Sequence, residues 1–316
     1  MAENRNAQQV REITDKLEQG LKELFESERF KEYLKTMSKF YNYSFNNTLL
    51  IAMQKPDATL IAGYTAWQRN FDRHVMKGEK GIKILAPAPY KVQEEREKLD
   101  PATQKPVLDK DGKPVTETVE VTRPAFKVVS VFDVSQTDGK ELPDIAVDEL
   151  TGSVENYAAF FDALKELSPV PIAFENITDG AKGYFSHVEN RIAIQEGMSE
   201  IQTIKTAIHE IAHAKLHAVT PGEKVAPEDK KDRRTKEVEA ESVAYTVCQR
   251  YGIETSDYSF GYIAGWSSDK ETKELKGSLE TIRKTAAEMI TGIDEKLKER
   301  LAVKEQEAPT PLRDAA

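Results

Sequence analysis

Two histidines four residues apart, His209 and His213, restrict the local fold more than any other feature of this 316-residue chain. They sit in His209-Glu210-Ile211-Ala212-His213, directly after the apolar-periodic run Ile201-Gln202-Thr203-Ile204-Lys205-Thr206-Ala207-Ile208. That run predicts a helix. On a helix, residues i and i+4 share a face, so both imidazoles reach one metal ion. Zinc accepts neutral imidazole and keeps an open position at catalytic sites. Glu210 is then placed to take a proton from a water that the metal activates. The plainer alternative is an amphipathic helix whose histidines merely face solvent. It is disfavoured because the chain has only five histidines and the pair falls on a predicted helix, as the chemistry requires.

A catalytic zinc usually takes three protein ligands, so one is missing from the motif. Downstream, Arg233-Arg234-Thr235-Lys236-Glu237-Val238-Glu239-Ala240-Glu241-Ser242-Val243-Ala244-Tyr245 is again helical in pattern. Glu237 and Glu241 share one face of it, and a carboxylate from a second helix packed on the first completes a His, His, Glu set. Glu237 is favoured as the ligand. Glu241 is the alternative ligand, or an outer group that orients a histidine through its free ring nitrogen. Spacing alone does not rank the two. Glu239 points elsewhere and is expected in solvent. His217 lies about 12 Å along the helix from His209, too far to share the metal, and is read as a C-terminal helix residue favourable to the dipole. Tyr184 and Tyr245 are the candidates for an additional oxyanion donor. Upstream, residues 183–194 alternate like two strands around a turn at Glu189-Asn190, either a structural hairpin or a strand edge that pairs with an extended peptide.

Charged residues make up 31% of the chain and no long apolar run exists, which predicts no transmembrane helix and no secretory signal. The single cysteine, Cys248, excludes an internal disulfide and fits a reducing cytoplasm. The net charge of −9 argues against a globally basic nucleic-acid binder, although distribution matters more than the sum.

The organisation expected is α+β with two domains. Residues 1–145 form an α/β domain that begins with one helix over 8–37. It continues with a short helix capped by Ser44-Phe45-Asn46-Asn47, a strand at 59–62, a helix over 64–71 and strands at 82–85 and 125–133. Residues 92–123 read as a hairpin or flexible insertion, and Asp138-Gly139 opens a linker. Residues 150–298 form the second domain, with a mobile loop at 220–227, and 299–316 a disordered tail.

Basic and aromatic residues interleave in the first domain. Arg69, Arg73, Lys77, Lys80, Lys83 and Lys91 stand against Asp72 and Glu79, with Tyr64, Trp67, Phe71 and Tyr90 among them and Asn47 upstream. Cations track phosphates while aromatic faces stack unpaired bases, a composition suited to single-stranded nucleic acid. Trp67 and Phe71, four apart, fit a core role equally well.

Asn47-Thr48-Leu49-Leu50-Ile51, Gly63-Tyr64-Thr65-Ala66-Trp67, Lys77-Gly78-Glu79-Lys80-Gly81-Ile82 and the run from Phe126 to Thr137 together resemble the N-terminal domain of ArdC-type antirestriction proteins, some of which are called LtrC-like. His209 to His213 with Glu237 to Ala244 is similar to the zinc-peptidase domain of the same proteins, related to the ImmA/IrrE peptidases. The resemblance covers residues 8–296. It implies a first domain that binds single-stranded DNA, through residues among Asn47, Tyr64, Trp67, Arg69, Arg73, Lys77, Lys80 and Lys83. It also implies a zincin-like, gluzincin-like second domain, and protection of a mobile element's DNA from restriction during conjugation. The 92–123 segment departs from that pattern, as does Glu241, where ImmA-like members usually carry asparagine.

Three functions follow. The first is a DNA-binding antirestriction factor with a metal-dependent domain. The second is a cytosolic metallopeptidase that cleaves a specific regulatory protein or restriction-system component, with DNA binding for targeting or absent. The third is a structural zinc module. Glu210 argues against the third, since a structural site needs no general base. Histidine and carboxylate donors also suit other divalent metals.

Overall fold

The computed structural model describes residues 2–142, 154–178, 180–218, 231–253, 255, 258 and 260–307. Two helices stand where periodicity predicts one, α1 (Ala2–Leu24) and α2 (Ser27–Lys39). The break comes at Glu26, whose backbone is extended (φ −85°, ψ 138°). There Phe25 turns inward, stacked on Phe30 and edge-on to Trp266. Burying a large ring outweighs the helical hydrogen bonds forgone at the break.

Ser44 accepts the Asn47 N–H and starts α3 (Phe45–Gln54). Next come β1 (Ile61–Gly63), α4 (Tyr64–Phe71), β2 (Arg73–Val75) and β3 (Ile82–Pro87). Residues 92–123 belong to a hairpin, β4 (Tyr90–Glu97) against β5 (Thr116–Arg123), in register from Tyr90↔Arg123 to Glu97↔Thr116. Strand β6 (Phe126–Asp133) is then central between β1 and β3. Asp138-Gly139, expected to open a linker, instead lies in β7 (Thr137–Gly139), which pairs with β2.

Strand β3 is a sheet edge, and α3 satisfies its free side. The Asn47 amide accepts from the Leu85 N–H and donates to the Leu85 carbonyl, both at 2.9 Å. One strand repeat away, Gln54 does the same at Lys83, again at 2.9 Å. Two side-chain amides on one helix thus stand in for a neighbouring strand and block edge pairing.

The second half runs α5 (Val154–Leu167), β8 (Ile172–Glu175), β9 (Gly183–Ser186), β10 (Arg191–Gln195), α6 (Glu200–His217), α7 (Arg233–Arg250), α8 (Ile263–Ser267) and α9 (Thr272–Glu307). Strand β10 pairs parallel with β8 and antiparallel with β9, which leaves β9 at the edge. Asn190 makes the expected turn at φ 50°, in the left-handed region that asparagine tolerates. Residues 299–307, expected as tail, continue α9, and Arg300 on it bonds to Glu166 of α5 at 2.6 Å. The expected loop at 220–227, the domain start near 150 and residues 308–316 lie outside the described residues.

One apolar core runs across the expected division at 145–150. The face Phe30, Tyr33, Leu34 and Met37 of α2 is buried in the same cluster as Val243, Val247 and Phe260. Phe30 meets Phe260 edge-on at 5.2 Å. A smaller cluster, with Phe40, Ile51, Ile61, Ile82, Ile84 and Val131, fills the space between α3 and the sheet β1-β6-β3. No described helix is long and apolar enough to cross a membrane.

Candidate metal centre

Ser199 caps α6 by accepting the Gln202 N–H, and Asp232 caps α7 by accepting the Thr235 N–H at 2.6 Å. The helices pack through small and branched side chains, with Ile208, Ile211, Ala212, Ala240 and Ala244 fully buried. Small residues allow close approach, and three donors converge. His209 Nε2 and His213 Nε2 lie 3.1 Å apart. Glu237 Oε2 is 3.6 Å from the first and 3.4 Å from the second.

Among the described residues, His209, His213 and Glu237 are the one group of at least three such side chains whose ligand atoms all lie within 4.8 Å of one another. Bonds of 2.0–2.1 Å in a tetrahedron put donors about 3.3 Å apart, so the spacing fits a shared divalent cation. Glu237 is drawn well below the usual carboxylate range by its bonds to His209 and His213. Burial opposes a charge on His209, but the Glu237 bond and the nearby Glu210, Glu237 and Glu241 carboxylates outweigh it and raise its basicity.

Glu210 is 7% exposed, and burial raises its carboxyl above the ordinary range. It accepts a backbone hydrogen bond from Phe185 on β9. Gly183 makes this closeness possible. A Cβ there would sit 2.6 Å from Thr206 Cγ2, 2.9 Å from the Ala193 carbonyl and 3.5 Å from Glu210 Cγ. Two cavities of about 350 and 530 Å³ share Gly183, His209 and Glu210 in their walls and form a cleft past the donors. Lys205, Glu241 and Tyr258 line one side, and His187, Arg233 and Lys236 the other. Glu241 therefore flanks the cleft and stands outside the three-donor group. Tyr184 directs its hydroxyl to Glu175 at 3.2 Å, and Tyr245 is buried against Tyr258 and Phe260.

One expectation is overturned. Glu239 is fully buried instead of solvated, because the side of α7 it faces is covered by α9, whose Ser278 bonds to it. His217 is the last residue of α6, as expected, and it also makes contacts that its place at the helix end does not predict. It is 5% exposed, holds the second ring nitrogen of His213 and bonds to Glu239. The signal was its spacing of four from His213, rather than of eight from His209.

In the first half the structure separates scaffold from surface. Trp67 is 0% exposed and donates from Nε1 to the Phe132 carbonyl at 2.9 Å, so its faces are closed to a base. Asn47 is engaged with β3 as described. Arg73 bonds to Thr137 Oγ1, the Thr137 carbonyl and the Lys140 carbonyl at 2.6–2.8 Å, which ties β2 to β7. Arg69, Lys77, Lys80 and Lys83 are exposed, and Tyr64 is 60% exposed. The Tyr64 ring meets Phe132 edge-on at 6.1 Å, and Lys83 bonds to Ser130 at 2.6 Å. Gly81 lies between them, where a Cβ would come within 2.8 Å of Ser130 Cβ and 3.1 Å of Phe132 Cζ. Phe132, which composition did not single out, completes an open sheet face.

Residues 4–132 match the family model described as the N-terminal domain of anti-restriction factor ArdC, and residues 168–251 match the peptidase family model described as an IrrE N-terminal-like domain. An uncharacterized protein of Bacillus anthracis is 29% identical over 328 residues, covering 92% of this chain and 52% of its own length. DNA primase TraC of Escherichia coli is 34% identical over 148 residues, 44% of this chain and 12% of its own. The chain thus spans about half the length of the first relative and a small part of the second. The metal-free crystal structure of antirestriction protein ArdC from plasmid R388 is 22% identical, with a TM-score of 0.47, covering 83% of this chain and 86% of that one.

Proposed function

We propose that this chain, which carries an ArdC-type N-terminal domain followed by an IrrE-like metallopeptidase domain, is a cytoplasmic antirestriction factor of a mobile element. In this reading residues 1–145 bind single-stranded DNA. Residues 150–298 hydrolyse a peptide bond in a protein partner, such as a restriction-system component, at a zinc centre. The observation that carries the hydrolytic part is the convergence of His209, His213 and Glu237 beside a buried glutamate. His209, His213 and Glu237 would hold a divalent cation, which would supply Lewis acidity and lower the pKa of a bound water.

The chain's own groups do the rest. Glu210, raised by burial, takes up a proton from water and returns it to the leaving amine, a role that suits a basicity shifted toward neutral pH. The outer edge of β9 offers backbone groups to an extended peptide, and the cleft continues on both sides of Glu210. For DNA, support comes from the face formed by Tyr64, Phe132, Gly81 and Lys83. It combines aromatic rings and a cation, with Arg69, Lys77 and Lys80 available to phosphates.

The test is Glu210→Gln in the full chain, read on casein as an unstructured substrate and on metal content. Metal is retained, while hydrolysis falls by about 10²- to 10⁴-fold. Unchanged hydrolysis removes Glu210 from the chemistry.

A further inference from the structure

A fully buried carboxylate needs partners, because an unpaired charge in the interior is strongly disfavoured. Glu239 has two besides Ser278. Lys231 Nζ bonds to its two oxygens at 2.7 and 2.8 Å, and His217 Nε2 lies 3.0 Å from Oε2. The other nitrogen of His217, Nδ1, is 3.1 Å from Nδ1 of His213. His213 in turn presents Nε2 to the three-donor group. The line from Lys231 through Glu239, His217 and His213 to the donors is therefore continuous.

Its proton inventory closes in one sense. An imidazole that gives its Nε2 lone pair to a cation carries its hydrogen on Nδ1. That Nδ1–H needs an acceptor, and His217 Nδ1 is the group in reach. Neutral His217 then carries its own hydrogen on Nε2, pointed at an acceptor-only carboxylate. Lys231 neutralises that carboxylate. Every donor faces an acceptor, and the ring plane of His213 is held from behind.

We infer that His217 and Glu239 are positioning residues that fix the tautomer and orientation of His213 for metal binding, a two-residue relay in the place usually taken by one carboxylate or carbonyl behind a ligating histidine. The inference rests on the reading of His209, His213 and Glu237 as ligands. Neither residue touches the reacting atoms.

The experiment titrates Co(II) into the chelator-treated full chain, reading affinity and the visible absorption bands, with thermal melting as a check on folding. His217→Leu removes the acceptor, and Glu239→Gln removes the charge while keeping the shape. His217→Gln keeps a carbonyl for His213 and an amide hydrogen for Glu239. His217→Leu is expected to weaken binding by about 10- to 100-fold. Glu239→Gln weakens it less, both alter the Co(II) bands, and His217→Gln restores most of the affinity. If His217→Leu does not fold, Glu239→Gln and His217→Gln carry the comparison. Wild-type affinity and bands in the folded His217→Leu and Glu239→Gln proteins would overturn the relay and leave the three-donor site standing. No Co(II) binding by the wild type would overturn both.

Discussion

Tyr64 and Trp67, three residues apart on α4, illustrate how one segment serves both surface and core. Tyr64 is exposed and Trp67 is fully buried. Tyr64→Ala should weaken single-strand binding by about 1–3 kcal/mol with the melting temperature nearly unchanged. Trp67→Ala should instead lower stability by about 3–5 kcal/mol. Binding by gel shift across a salt series, paired with thermal melting, separates the two. Loss of DNA binding in Trp67→Ala with full stability would return that ring to the interface. The histidine pair and Glu210 were legible from spacing and residue type alone. Arg73 and Asn47 were not, because a cation or amide in an aromatic-rich segment has the same composition whether it meets a phosphate or a carbonyl of its own sheet. Glu239 was misread because a helix pattern says which way a side chain points but not what lies there.

Strand β9 and helix α6 depend on each other through Gly183. Gly183→Ala places a methyl group within 2.6 Å of Thr206 Cγ2 and 2.9 Å of the Ala193 carbonyl. Relief requires β9 to move from α6, at a cost of about 1–3 kcal/mol. The expected result is a lower melting temperature and reduced kcat with metal content preserved. Wild-type turnover in a stably folded variant would show that the closeness of β9 to Glu210 has no part in the chemistry. Most elements followed from local signals, since α3, α4 and the turn at Asn190 stand where capping, periodicity and turn chemistry put them. The split of the first helix did not, because its cause is the distant Trp266. The hairpin β4-β5 was left between two readings because neither of its faces carries a strong apolar alternation.

The apolar core joins what sequence organisation divides. Helix α2 buries Phe30, Leu34 and Met37 against elements of the second half. Arg283 of α9 donates to the Tyr43 carbonyl at 3.3 Å. A fragment of residues 1–145 would therefore expose a large apolar face and self-associate, whereas the full chain should unfold in one cooperative transition. Calorimetry of both tests this, and a monomeric fragment that melts cooperatively at the temperature of the full chain would contradict it. On the proposed function, such joining would place the DNA-binding face and the peptide cleft on one apolar core. The hydrolytic reading depends on the three donors being a metal site. The decisive determination is metal content, by mass spectrometry, of the purified wild type, His213→Ala, Glu237→Ala and Glu241→Ala. About one divalent ion per chain, lost in the first two variants and kept in Glu241→Ala, is the predicted result. A wild type without metal, or loss confined to Glu241→Ala, would contradict it.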